Sequence, residues 1–305
     1  MPHAHHDHHH DHLRGVTNFG AAFAIATALN LALVVAQVVY GLAANSVALL
    51  ADAGHNFGDA LGLILAWGAY LLGRAAPTER FTYGFRSASI LSALINAILL
   101  LVTTGAIAWE AIQRFGRPEQ TDGVTVMVVA AAAIVVNGLA AWLLMAGGKD
   151  DLNIRSAFVH LTADAAVSAG VVIAGAVLLS TGWTWVDPVA SLLVSVAIVW
   201  GTWGLLWESL HLSMNAVPQG VNAADVRSYL QNLPGVAGVH DLHIWPMGTT
   251  ETALTVHLVC GGGYAGDAFL MDTAYELEHR FGIRHATIQM ESGDRECGLA
   301  PTNVV

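Results

Sequence analysis

Charge is what this sequence lacks. Only 11% of its residues are Asp, Glu, Lys or Arg, less than half of the ~25% found in ordinary soluble domains. Basic residues are the scarcer kind, 12 Lys and Arg against 23 Asp and Glu, for a formal net charge of -11. Such a balance offers nothing to a phosphate backbone, so no nucleic-acid partner is expected, whereas cations are attracted. Two cysteines, Cys260 and Cys297, are too few for a disulfide framework or a cysteine-rich cluster. Cys260 falls in an alternating apolar run and is expected in a core; Cys297 falls in a polar tail and is expected as a free thiol. No G-x-x-x-x-G-K-[ST] motif is present, so no ATP-binding loop drives this protein. No nucleophile–base set is present either, and no enzyme is expected. The stretch before the first apolar run is acidic and His-rich rather than basic, so that run is expected as a retained span, not a cleaved signal.

What is present in quantity is apolar length. Hydrophobic residues make up 55% of the 305, and mean hydropathy is +0.55. Crossing ~30 Å of hydrocarbon takes about 20 apolar residues, and six runs qualify: about 17–40, 47–72, 87–112, 123–147, 154–180 and 186–207. Short polar or Gly-rich breaks separate them. Arg14, Arg74, Arg80, Arg86, Lys149 and Arg155 fall on one side of this bundle, and only Arg114 and Arg117 on the other. Basic loops stay inside, so both termini are expected in the cytoplasm. The expected organisation is a disordered His-rich arm at 1–15, a six-helix transmembrane domain at 16–208, a cytoplasmic domain at 209–295 and a tail at 296–305.

The C-terminal part reads differently. Residues 221–232 suit a short helix capped by Asn222. Two strands follow at 237–246 and 251–260, then a helix at 266–281 and a strand at 284–291. In the second strand Leu254, Val256, Leu258 and Cys260 alternate with Ala253, Thr255, His257 and Val259. The order α-β-β-α-β predicts a small α+β sheet with helices on one face, whose edges and open face favour pairing with a second copy.

Histidine is over-represented and clustered. Seven of the 15 occupy His3, His5, His6, His8, His9, His10 and His12, beside Asp7 and Asp11, a composition suited to scavenging metal. More telling are ionisable residues inside spans, where they are costly and mark function. The second span carries Asp52, His55 and Asp59; the fifth carries His160 and Asp164. A His and an Asp four apart lie on one helix face. Two helices that each donate an imidazole and a carboxylate supply the four N/O donors of a tetrahedral Zn²⁺ site. Asp52, one turn earlier, is a candidate accessory or proton-handling carboxylate. Metal binding needs neutral imidazole and ionised carboxylate, so it releases protons, and a proton gradient is the natural driving force.

In the C-terminal domain the segment 240–245 is dense in potential ligands, with His240, Asp241 and His243; His257, His285 and Glu291 lie on or beside the later strands. Three positions apart on a regular strand, His240 and His243 are expected on opposite faces and in different sites.

These pieces also carry a resemblance. Asn45 and Ser46 precede Asp52, His55 and Asp59; Thr82, Tyr83 and Gly84 precede the third span; His160 pairs with Asp164. Glu208 with Ser209, Val217 with Pro218, the run His240 to His243 with Trp245, and His285 with Thr287, Ile288, Gln289 and Glu291 complete a pattern covering almost the whole chain. In it the sequence resembles the cation diffusion facilitator family, near its bacterial cobalt-zinc-cadmium resistance branch and the vesicular zinc transporters. The resemblance implies a homodimer of six-span protomers in the inner membrane. Such proteins export Zn²⁺, often with Cd²⁺ or Co²⁺, in exchange for protons. His55, Asp59, His160 and Asp164 match the family's transport site. The cytoplasmic domain resembles a ferredoxin-like, metallochaperone-like fold that dimerises and senses metal, and His240, His257, His285 and Glu291 match its regulatory ligands. Two other readings use the same ligands: a divalent-metal importer or channel, and a membrane-bound metal sensor.

Overall fold

The computed structural model of the chain describes residues 16–117, 119–145, 152–263, 265–295 and 297–299. The expected His-rich arm and most of the expected tail lie outside them. Six long helices come first: α1 (Val16–Ala43), α2 (Val47–Gly73), α3 (Ala88–Gly116), α4 (Gly123–Met145), α5 (Leu152–Thr181) and α6 (Val186–Ser213). Even the shortest, α4 with 23 residues, extends about 35 Å at 1.5 Å per residue, enough to cross the hydrocarbon. Among the described residues four stretches are long and apolar enough to span: Ala88–Gly116, Gly123–Trp142, His160–Thr181 and Val186–Ser213. In α1 a shorter apolar stretch, Ala28–Ala43, is described. Large apolar side chains face outward, Trp200 at 86% exposure and Leu193 at 67%, as suits a surface solvated by lipid.

The chain forms two compact units, Met1–Leu63 with Ile98–Thr202, and Ile64–Ala97 with Trp203–Val305. In the first, α4 packs against α5 and α1. A Cβ on Gly175 would stand 3.2 Å from the Gly123 carbonyl oxygen and 3.2 Å from the Met127 nitrogen, so small residues let the α4 and α5 backbones close on each other. The start of α2 is held by side chains. Asn45 adopts a left-handed conformation (φ 54°), and Ser46 Oγ accepts from the Leu49 amide at 3.1 Å. Asp187 of α6 accepts from Ser46 Oγ at 2.5 Å and from the Val47 amide at 2.8 Å. A carboxylate there satisfies orphan N–H groups at the positive end of the helix and ties α2 to α6.

The second unit contains the C-terminal domain, in the expected order: α7 (Ala223–Gln231), β1 (Gly238–Pro246), β2 (Thr252–Val259), α8 (Asp267–Phe281) and β3 (Ile283–Glu291). The sheet runs β1-β2-β3, with β1 antiparallel and β3 parallel to β2. Asn222 caps α7 by accepting from the Ala224 amide, and Gly282, at φ 69°, ends α8. Leu254, Val256, Leu258 and Cys260 form the core with Val226, Leu230, Leu277 and Ile283. Cys260 is thus a core residue as its alternation predicts, and burial pushes its thiol up.

One strand departs from expectation. In β1, His240 pairs with His257 and His243 with Thr255, so one extra residue is inserted on β1. It is a β-bulge, with Asp241 at φ 49°. The expectation that His240 and His243 face opposite ways fails for this reason: the inserted residue returns His243 to the face of His240.

The α2–α3 connection, also in this unit, touches the β1–β2 turn. Arg86 pairs with Glu251, Ser87 Oγ donates to the Met247 carbonyl at 3.1 Å, and the Thr249 amide donates to Ser89 Oγ at 3.0 Å.

Candidate metal centres

The first centre lies between α2 and α5. Helical spacing puts His55 and Asp59 on one face of α2, and His160 and Asp164 on one face of α5. The two faces meet. His55 Nε2 is 3.0 Å from Asp164 Oδ1 and 3.7 Å from Asp59 Oδ2. His160 Nε2 is 3.2 Å from Asp59 Oδ2 and 3.6 Å from Asp164 Oδ2. Each imidazole therefore touches both carboxylates, and the two rings stand edge to face at 6.1 Å. Donor atoms of His55, Asp59 and Asp164 lie within 4.8 Å of one another. His160 joins from a more open position, its side chain 49% exposed against 3% for Asp164. Small residues make room: a Cβ on Gly58 would stand 2.5 Å from the Leu100 side chain. All four expected transport ligands are brought together.

Asp52 belongs to a neighbouring polar network. It is wholly buried; its Oδ2 accepts from Gln37 Nε2 at 2.5 Å and from Ser168 Oγ at 3.1 Å. Asn56 Nδ2 donates to Gln37 Oε1 and to the Asp52 carbonyl. Gln37 thus joins α1 to α2, and Ser168 brings in α5. Asp52 Oδ1 has no hydrogen-bond partner.

The second centre is in the C-terminal domain. Donor atoms of His240, His257, Glu291 and Cys297 all lie within 4.8 Å of one another. His257 Nδ1 is 3.0 Å from Glu291 Oε1 and 3.7 Å from Cys297 Sγ; His240 Nε2 is 3.3 Å from Glu291 Oε2. His240 Nε2 is buried with no hydrogen-bond partner. A bare imidazole nitrogen facing a carboxylate, a second imidazole and a thiol fits a divalent cation, for which N₂OS is an ordinary tetrahedral donor set. Burial pushes the Glu291 carboxyl up, but hydrogen bonds from Cys297 and Gln289 and the nearness of His240 and His257 hold it below its usual value.

His285 is not brought into this centre. It pairs with Ala253 whereas Glu291 pairs with Val259, about 20 Å apart along a strand, and its ring instead meets Tyr83 edge to face at 5.4 Å. Cys297 is the residue that sequence reasoning misses. It lies beyond β3, where no periodicity announces it, and only a turn of the chain after Glu291 returns it to the sheet.

Two family models match the chain, and several curated proteins are similar to it. The family model for the cation efflux transmembrane domain matches residues 23–212, and that for the cation efflux protein cytoplasmic domain matches 218–293. The zinc transporter ZitB of Escherichia coli (strain K12) is 37% identical, over 84% of this chain and 82% of its own. The cadmium, cobalt and zinc/H(+)-K(+) antiporter of Bacillus subtilis (strain 168) is 33% identical over 84% of each chain. The cation efflux system protein CzcD of Alcaligenes sp. (strain CT14) is 32% identical over 88% of this chain and 85% of its own.

Proposed function

The chain belongs to the cation diffusion facilitator family, and from that membership we propose that its α2–α5 centre carries Zn²⁺ out of the cell in exchange for protons. The family is one of membrane transporters, not enzymes, and this chain is a multi-pass membrane protein of metal efflux. The observation that carries the finer reading is that His55 and His160 each contact both Asp59 and Asp164. Two nitrogens and two carboxylate oxygens thus face one point from two helices.

Zinc prefers that donor number and type. A cation entering the centre takes the Nε2 lone pairs that otherwise face the carboxylates. Any proton held between an imidazole and a carboxylate must then leave, which makes loading and proton release one event. The same donors accept Cd²⁺ or Co²⁺, so these are proposed as further cargo. Gly54 and Gly58 let α2 pack closely against Ile107 and Leu100 of α3. The six basic residues on one side of the bundle support an inner-membrane protein with both termini in the cytoplasm.

In the C-terminal domain, His240, His257, Glu291 and Cys297 would hold a regulatory cation, which ties the end of the chain to the sheet. The matched cytoplasmic domain supports a homodimer. Reconstituted in vesicles, the protein should take up Zn²⁺ against an imposed pH gradient and move protons the opposite way. Zinc flux that persists unchanged when the gradient is collapsed would remove the proton exchange; flux that survives His55→Ala with Asp164→Ala would remove the site.

A further inference from the structure

The run at 240–243 contributes more than one residue to the cytoplasmic centre, and the proposed function leaves Asp241 and His243 unused. Asp241 is the inserted residue of the β1 bulge, and its φ of 49° is a conformation that non-glycine residues adopt seldom and at a cost, most readily Asn and Asp. Bulges re-aim side chains next to functional sites. Here the carboxylate is turned onto the face that carries His257, with only 12% of its side chain exposed. Asp241 Oδ2 lies 3.4 Å from His257 Nε2, and Oδ1 lies 2.9 Å from His243 Nε2. The other nitrogen of His257, Nδ1, faces Glu291 and Cys297. The two edges of this one ring therefore meet different company: a carboxylate outside the centre, and the donor set within it.

From this we infer that Asp241 is a positioning residue for the cytoplasmic metal centre, holding the Nε2 edge of His257 so that Nδ1 faces the cation. The inference rests on the proposed regulatory site. A neutral imidazole carries its proton on one nitrogen only; once a cation takes Nδ1 in place of the Glu291 contact, the proton is on Nε2, beside the Asp241 carboxylate. Rotation of the ring is opposed at the same time, because Asp241 is itself held by His243. His243, 42% exposed, stays outside the donor set and acts as the support of Asp241. The bulge has a use in this arrangement: without the extra residue, 241 would point to the sheet's opposite face, where the core lies.

The test uses the full-length chain in detergent, with His160→Ala, Asp164→Ala and alanine in place of His3, His5, His6, His8, His9, His10 and His12 in the background, so that zinc reports the cytoplasmic centre. Zinc affinity is measured by competition with a chelating dye. Asp241→Gly keeps the left-handed backbone and removes the carboxylate; Asp241→Asn keeps both the backbone preference and one acceptor oxygen. The expected result is zinc binding weakened about 10- to 100-fold by Asp241→Gly and less by Asp241→Asn. At saturating Co²⁺ the thiolate absorption band, which Cys297→Ser removes, should persist in both variants. Selective ¹⁵N-histidine spectra of the zinc-loaded protein should show His257 coordinated through Nδ1 with its proton on Nε2, and a mixture of Nδ1 and Nε2 coordination in Asp241→Gly. Wild-type affinity in Asp241→Gly, coordination of His257 through Nε2 with Asp241 present, or loss of the cobalt–thiolate band at saturation would each overturn the role of Asp241. Unchanged zinc binding in His240→Ala and Cys297→Ser would instead remove the centre itself, a distinct failure.

Discussion

His55 and Asp164 stand 109 residues apart in the chain, and their side chains meet at 3.0 Å between Nε2 and Oδ1. This contact joins α2 to α5; under the proposed function, a cation entering the centre would replace it with two bonds to itself.

Removing either partner leaves three donors. Asp164→Ala should weaken Zn²⁺ binding at the membrane centre by more than about 100-fold, beyond the range for outer-sphere partners, and abolish vesicle uptake. Zinc uptake at an unchanged rate in this variant would show that the cargo takes another route.

The Asp52 network should act on stability in a way that distinguishes two substitutions. Asp52→Ala strands the buried donors Gln37 Nε2 and Ser168 Oγ, at a cost of about 1–3 kcal/mol per group. Asp52→Asn keeps an acceptor for them. Thermal melting in detergent should place the alanine variant clearly below the asparagine variant; equal midpoints would mean the network holds nothing.

Glu291 makes the C-terminal domain sensitive to acid. Its carboxyl is held below the usual glutamate value in the folded protein. The stabilisation this represents is fully present above the unfolded value and is lost as pH falls through the folded one. The melting difference between the unsubstituted chain and Glu291→Gln should be largest near neutral pH and close as the solution is acidified below the ordinary glutamate range. A difference that grows on acidification would reverse the sign.

The turn between β1 and β2 is seated on the start of α3. A Cβ at Gly248 would stand 3.0 Å from the Arg86 carbonyl oxygen and 3.1 Å from Ser89 Oγ. Gly248→Val should push the turn away and lower protection of the Thr249 amide by about 1–3 kcal/mol, the usual cost of overpacking. Hydrogen exchange at that amide, unchanged by the substitution, would show the contact to be slack.

Much of this was legible without a structure because it is local. Hydropathy runs mark the long helices, and a four-residue spacing puts His55 with Asp59, and His160 with Asp164, on single faces whatever the surroundings. The α-β-β-α-β order and the Asn222 cap follow from periodicity and turn chemistry over a few residues each. What only the tertiary structure decided is which faces meet. The repeated His/Asp spacing pointed to α2 and α5 as partners, but the capture of Asp52 by Gln37 and Ser168 joins residues 15 and 116 positions apart, for which no local pattern speaks. The bulge at Asp241 was equally hidden, since an alternating strand reads the same until its partner sets the register. It moved His243 to the face of His240, as the extra residue shifts every later side chain by one. His285 and Cys297 changed places for other reasons: six residues of extended strand set His285 about 20 Å from Glu291 along β3, while the chain's return after that strand brought Cys297 against His257.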